Sequence, residues 1–219
     1  YRKAPLTANV YQLEVQPFTR EQRDKFIQDW SLHRVKLEYN NKIDLGIRDR
    51  AKKQANNLIE QIEVSSSLKL MARNPLLLNM IAITHETHGN LSNKRVDLYK
   101  EICRVLLEGR QRAKGLSTLL SAEQKQVVLK SLALELMQQN TQAFTLDESS
   151  SRDQTYKQAK SLIKEKLDRF PQQAITPEDF IKKDDLGVRE LMSEKQQEGI
   201  YEFAHKTFQE YLAAVEITD

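Results

Sequence analysis

Between Gly199 and Ile217 the hydrophobic pattern of this 219-residue chain changes period, and that change limits the folds open to it. Tyr201 to Ala204 alternates as a short strand does. From His205 onward Phe208, Tyr211, Leu212 and Val215 fall at i, i+3, i+4 and i+7, the spacing of one helical face. His205 therefore stands where a strand becomes a helix. The first N–H groups of a helix lack partners within it, and its dipole adds partial positive charge, so the junction favours an anion such as a phosphate. The same field disfavours an imidazolium and leaves a neutral ring with one N–H to donate. The alternative is a histidine that only caps its helix and packs on the core.

The wording of the stretch bears on that choice. Phe203-Ala-His205-Lys-Thr-Phe208-Gln209-Glu210-Tyr211-Leu212-Ala213-Ala214 resembles the segment that ends the winged-helix domain of NACHT-type proteins, a branch of the STAND class of signal-transduction NTPases. Every fixed position of the family pattern F-x-H-x-(S/T)-F-Q-E-Y-L-A-A is present. The resemblance implies that His205 touches the β-phosphate of bound ADP and holds a switch closed.

Val10, Leu13 and Val15, stopped by Pro17-Phe18, read as a lone strand whose sheet lies elsewhere. Thr19-Arg-Glu-Gln22 is a capping box, and Phe26, Ile27 and Trp30 give the helix behind it one apolar face. In NACHT proteins the last strand of the nucleotide-binding sheet is followed by such a helix. Leu32 to Tyr39 continues or restarts the helix, Asn40-Asn41 breaks it, and a longer helix over about Ile47 to Ile62 turns Ala51, Ala55, Leu58, Ile59 and Ile62 inward. Ser65-Ser-Ser67 opens a short helix. Asn74 and Pro75 then start the most apolar helix of the chain, with a good cap followed by a proline where a missing N–H costs nothing. Arg73-Asn74-Pro75 stands where STAND proteins carry G-x-P, so the resemblance assigns Pro75 to packing on the adenine. Arg73 in place of the glycine is a departure from that pattern.

Val96 to Arg112 forms the next helix, weakened at its end by Gly109 and Gly115, so a boundary is expected near residues 113 to 118. Ser121-Ala-Glu-Gln124 is a second capping box and begins a second unit. Phe144-Thr-Leu146 reads as a short strand, Gln154 to Phe170 as a helix, and Thr176-Pro177-Glu178-Asp179 as a helix start. The order helix, strand, helix, helix, strand, helix suits an elaborated winged helix. The fold class expected is thus mainly α: a last strand of a nucleotide-binding domain in residues 1–18, a helical domain in 19–115 and a winged-helix domain in 116–219.

Other chemistry fits poorly. His85-Glu-Thr-His88 has the wrong spacing for a zinc-protease pair and ends in Gly89-Asn90, so it reads as the carbonyl-rich end of a helix. The one cysteine, Cys103, cannot form an intramolecular disulfide and lies among apolar neighbours, which fits a reducing, cytoplasmic setting. None of the six glycines belongs to a phosphate-binding loop and no strand ends in paired acids fit for Mg²⁺, so no catalytic residue is assigned. No apolar run reaches the ~18 residues a membrane span requires. A net charge of +3 permits an acidic partner without demanding one.

These features, with the resemblance, imply the regulatory part of a NACHT-type switch. Its cofactor would be ADP or ATP in the full-length protein, its partners a P-loop domain of the same protein and further copies of itself. A tightly bound nucleotide is not expected on these residues alone. Two readings from other classes stay open: a winged-helix DNA-binding module, for which Lys157, Lys160, Lys164, Lys166 and Arg169 are the basic helix face, and a helical adaptor without ligand.

Overall fold

The computed structural model describes residues 16–41, 44–113, 119–146, 154–171, 174–182, 188–195 and 199–218. The strand expected over Val10 to Val15 lies outside them. Two compact units divide the chain between Glu86 and Thr87.

In the first unit, Thr19 opens α1 (Arg20–Glu38) with both bonds of its capping box: the Gln22 N–H donates to Thr19 Oγ1 at 3.2 Å, and the Thr19 N–H donates to Gln22 Oε1 at 2.9 Å. The helix is unbroken to Glu38, and Asn40 and Asn41 beyond it both take left-handed backbone angles and turn the chain. Asp44 caps α2 (Leu45–Val64) by accepting the Ile47 N–H at 2.8 Å. Packing of α1 on α2 buries Ile27 and Val35 from one side and Ala51, Ala55, Leu58 and Ile62 from the other. Ile59, expected to point inward, is half-buried. Ser65 caps the short α3 (Ser66–Met71), and α4 (Pro75–His88) follows with Leu77, Leu78, Met80, Ile81 and Ala82 all buried.

The second unit begins with α5 (Arg95–Ala113) and α6 (Ala122–Gln138), the latter closed at its start by the Ser121 capping box. After them come β1 (Ala143–Thr145), α7 (Gln154–Leu167), α8 (Pro177–Lys182), a single 3-10 turn (Val188–Glu190), β2 (Met192–Glu194), β3 (Ile200–Phe203) and α9 (Lys206–Thr218). The strands form an antiparallel sheet in the order β1-β3-β2, with Phe144 opposite Tyr201 and Ser193 opposite Glu202. Helix, strand, two helices and a strand hairpin make a winged helix, and α9 packs along α6.

Strand β2 was not anticipated, because Met192-Ser-Glu194 holds a single apolar residue and its hydrogen bonds come from across the hairpin. Contacts group α5 with the second unit, next to an expected domain boundary near residues 113 to 118. Tyr99 on α5 meets Phe208 edge-on and stacks on Tyr211, with 5.6 Å between ring centroids in each case. The buried Lys125 of α6 donates through Nζ to the Leu107 carbonyl of α5 at 2.8 Å. A glycine-weakened helix end looks like a linker in sequence, whereas the aromatic face of α5 has its partners about a hundred residues downstream.

Candidate functional site

The helix that follows β3 explains most of its own spelling. Phe208, Gln209 and Leu212 are fully buried and Ala213 nearly so, whereas Lys206, Glu210 and Ala214 face solvent. Phe208 fills the core beneath Tyr99, and Gln209 ties α9 to the turn after α6 by donating from Nε2 to the Thr141 carbonyl at 2.9 Å. A buried glutamine was not singled out from sequence, where it reads as a polar residue on a helix. Its place between Phe208 and Glu210 gives no signal, because only the Thr141 carbonyl on the other side makes burial affordable.

His205 precedes the first residue of α9 and is half-buried. Its Nδ1 accepts the Thr207 N–H at 3.3 Å and lies 2.8 Å from the Thr207 hydroxyl, and its carbonyl accepts the Phe208 N–H at 3.0 Å. In the tautomer with its proton on Nε2, Nδ1 accepts the Thr207 N–H; in the other, Nδ1–H donates to the Thr207 hydroxyl. In the Nε2–H tautomer the capping reading and the donor reading are compatible in one residue, because Nδ1 completes the helix start while Nε2 carries the proton. His205 itself takes the N–H groups of Thr207 and Phe208, so these two leading donors do not await an anion.

Pro75 belongs to the first unit. Asn74 Oδ1 accepts the N–H groups of Leu76 and Leu77 at 2.9 and 3.2 Å, so proline sits in the first helical position with its neighbours' donors satisfied. Beside it opens a cavity of about 430 Å³ lined by Gln16, Pro17, Leu70, Arg73, Asn74 and Pro75. Its walls are mostly apolar, as a flat aromatic ring requires. The residue at the glycine position of G-x-P does not need glycine here: Arg73 is not among the described residues with left-handed backbone, and its carbonyl accepts the Phe18 N–H at 2.8 Å.

The remaining singled-out residues have structural partners. His85 Nε2 lies 2.8 Å from Asn57 Oδ1, and burial pushes its pKa below the ordinary value. His88 Nε2 is 2.9 Å from a terminal guanidinium nitrogen of Arg104. Among the described residues no three of His, Cys, Asp or Glu come together as a metal site would need. Burial raises the Cys103 thiol to about 12, which leaves it protonated and unreactive at neutral pH. On the basic face of α7, Lys160 pairs with Glu178 of α8 at 3.0 Å. No helix among the described residues is long and apolar enough to cross a membrane.

Topology and the packing of α9 define the class of this chain's second unit: it is a winged-helix domain preceded by one additional helix, α5. Residues 95–217 match the model of the winged helix-turn-helix domain C-terminal to NACHT, and the chain belongs to that family. The match starts at the first residue of α5, as the structural grouping of that helix requires. No curated protein and no solved structure matches the chain.

Proposed function

We propose that this chain is the regulatory part of a NACHT-type STAND signalling ATPase, helping to clamp ADP against a P-loop domain of the same protein and gating self-association of the whole. The observation that carries the reading is the place of His205, half-buried immediately before α9 with Nδ1 at its first turn, where the resemblance assigns contact with the β-phosphate. The apolar cavity at Pro75 supports a second contact, to the adenine. Family membership supports the neighbouring NACHT domain, because such a winged helix follows one. The work of the two contacts is conformational. A nucleotide held from several domains favours the closed arrangement, and loss of any contact made only there moves the equilibrium toward the open one.

A hydrogen bond from a neutral imidazole to a phosphate oxygen contributes about 1.5–3 kcal/mol. Losing it shifts the closed-to-open equilibrium roughly 10- to 150-fold, since each 1.4 kcal/mol is about a factor of ten. His205→Leu removes the donor and keeps the bulk, although it also removes the bond from the Thr207 N–H. His205→Asn retains a capping acceptor and separates the two effects. In the full-length protein with ADP, light scattering should show both variants oligomeric under conditions where the wild type stays monomeric. Two monomeric, normally folded variants would return His205 to the role of a cap.

A further inference from the structure

A second cavity, of about 390 Å³, adjoins the one at Pro75 and shares Arg73 with it. Four cationic side chains line it: Arg20 and Arg23 from α1, Lys69 from α3, and Arg73 from the turn before α4. One lining carboxylate, Glu63, meets three of them, with Arg23 at 2.6 Å, Lys69 at 3.3 Å and Arg20 at 3.4 Å. Arg23 is almost fully buried and also pairs with Asp24 at 2.6 Å, so its position is fixed by two carboxylates. Hydrogen bonding from Arg23 holds Glu63 below the usual carboxylate range, which keeps it ionised. Counting Asp24 along with Glu63 leaves four positive charges against two negative ones around a single hollow. The Arg73 guanidinium, exposed at the rim, has no side-chain partner among the described residues.

We propose that this hollow, formed by Arg20, Arg23, Lys69 and Arg73, is a binding site for the phosphoryl group of a small ligand. Several cations converging from α1, α3 and the α4 turn suit a tetrahedral dianion, whose oxygens point in different directions. A carboxylate brings one negative charge and two oxygens in a plane, against a phosphoryl group's greater charge and three acceptor oxygens spread in space. Arg73 supplies the uncommitted donors, while Arg23, held by Glu63 and Asp24, sets the floor. The site lies wholly within the first unit and uses no part of the His205 junction, so either reading can fail without the other.

The test is calorimetric titration of the chain with inorganic pyrophosphate at low ionic strength, with phosphate, ADP, adenosine and acetate as comparisons. Millimolar pyrophosphate binding is expected, weakened about ten-fold or more by Arg73→Gln, the loss that one charged hydrogen bond brings. Arg73→Gln should melt with the wild type when no ligand is present, because its guanidinium supports no other residue. Lys69→Gln provides a second reading if it too folds normally. ADP and pyrophosphate binding alike would identify the phosphoryl group alone as what is recognised, and tighter ADP would identify a nucleotide; both support the site. Absence of pyrophosphate binding at millimolar concentration, binding unchanged by Arg73→Gln, or acetate binding as well as pyrophosphate would overturn it. Adenosine binding as tightly as ADP would also overturn it, by placing the affinity in the apolar cavity at Pro75.

Discussion

Phe208 shows how one residue can carry both a family pattern and a fold. It is fully buried and edge-on to Tyr99, so Phe208→Ala should lower stability by about 3–5 kcal/mol, the range for an aromatic removed from a packed core. Chemical denaturation measures this, and an unmoved midpoint would mean α9 is not packed as described. His85 gives a pH-dependent counterpart in the other unit. Burial sets its folded pKa below the unfolded value of about 6.5, so the unfolded chain takes up the proton first as pH falls. Its contribution is therefore complete above about pH 6.5 and is lost as pH drops from there through the folded value. The melting temperature of wild type should fall between about pH 7.5 and about pH 5.5, and His85→Asn should fall less over the same window. The burial of Phe208 was legible from helical spacing. That of Gln209 was not, because a polar side chain enters a core only where a specific partner waits, and the Thr141 carbonyl is invisible in the local sequence.

Helix starts were the most legible elements. Thr19 and Ser121 both make the two reciprocal bonds their spacing implies, since those bonds join residues three apart and depend on nothing distant. Thr19→Ala and Ser121→Ala should each cost about 1 kcal/mol. The two sites lie in different units, so the double variant should lose the sum when each unit's unfolding is followed separately, and strong non-additivity would contradict their independence. The hairpin of β2 and β3 marks the opposite case. It is held by pairing between strands, by Gly199 at φ +78, whose N–H donates to Glu194 Oε1, and by an ion pair from Lys195 to Glu202 at 2.8 Å. β3 was foreseen from alternation over four residues; β2, with Met192 its single apolar residue, was not.

For the molecule as a whole, the division into units governs what the chain can do alone. The nucleotide contacts proposed for Pro75 and His205 come from different units, and the sequence holds no phosphate-binding loop. The chain by itself should therefore release no phosphate from ATP above background and bind ADP no better than millimolar. Phosphate-release assays and calorimetry check both, and a micromolar ADP affinity would contradict this reading.

Sequence alone determined what depends on short range: the helix starts at Thr19, Ser65, Asn74 and Ser121, the turn at Asn40-Asn41, the change of period at His205, and the resemblance those last residues carry. Each rests on interactions within about one helical turn, where spacing fixes geometry. Tertiary structure decided what depends on partners distant along the chain. It assigned α5 to the winged helix through Tyr99, paired β2 with β3, buried Lys125 and Gln209 on remote carbonyls, and gathered Arg20, Arg23, Lys69 and Arg73 around one hollow. In sequence those four cations are scattered over more than two helices, and only the packing of α1 on α2, with α3 and α4 turned beside them, makes them neighbours.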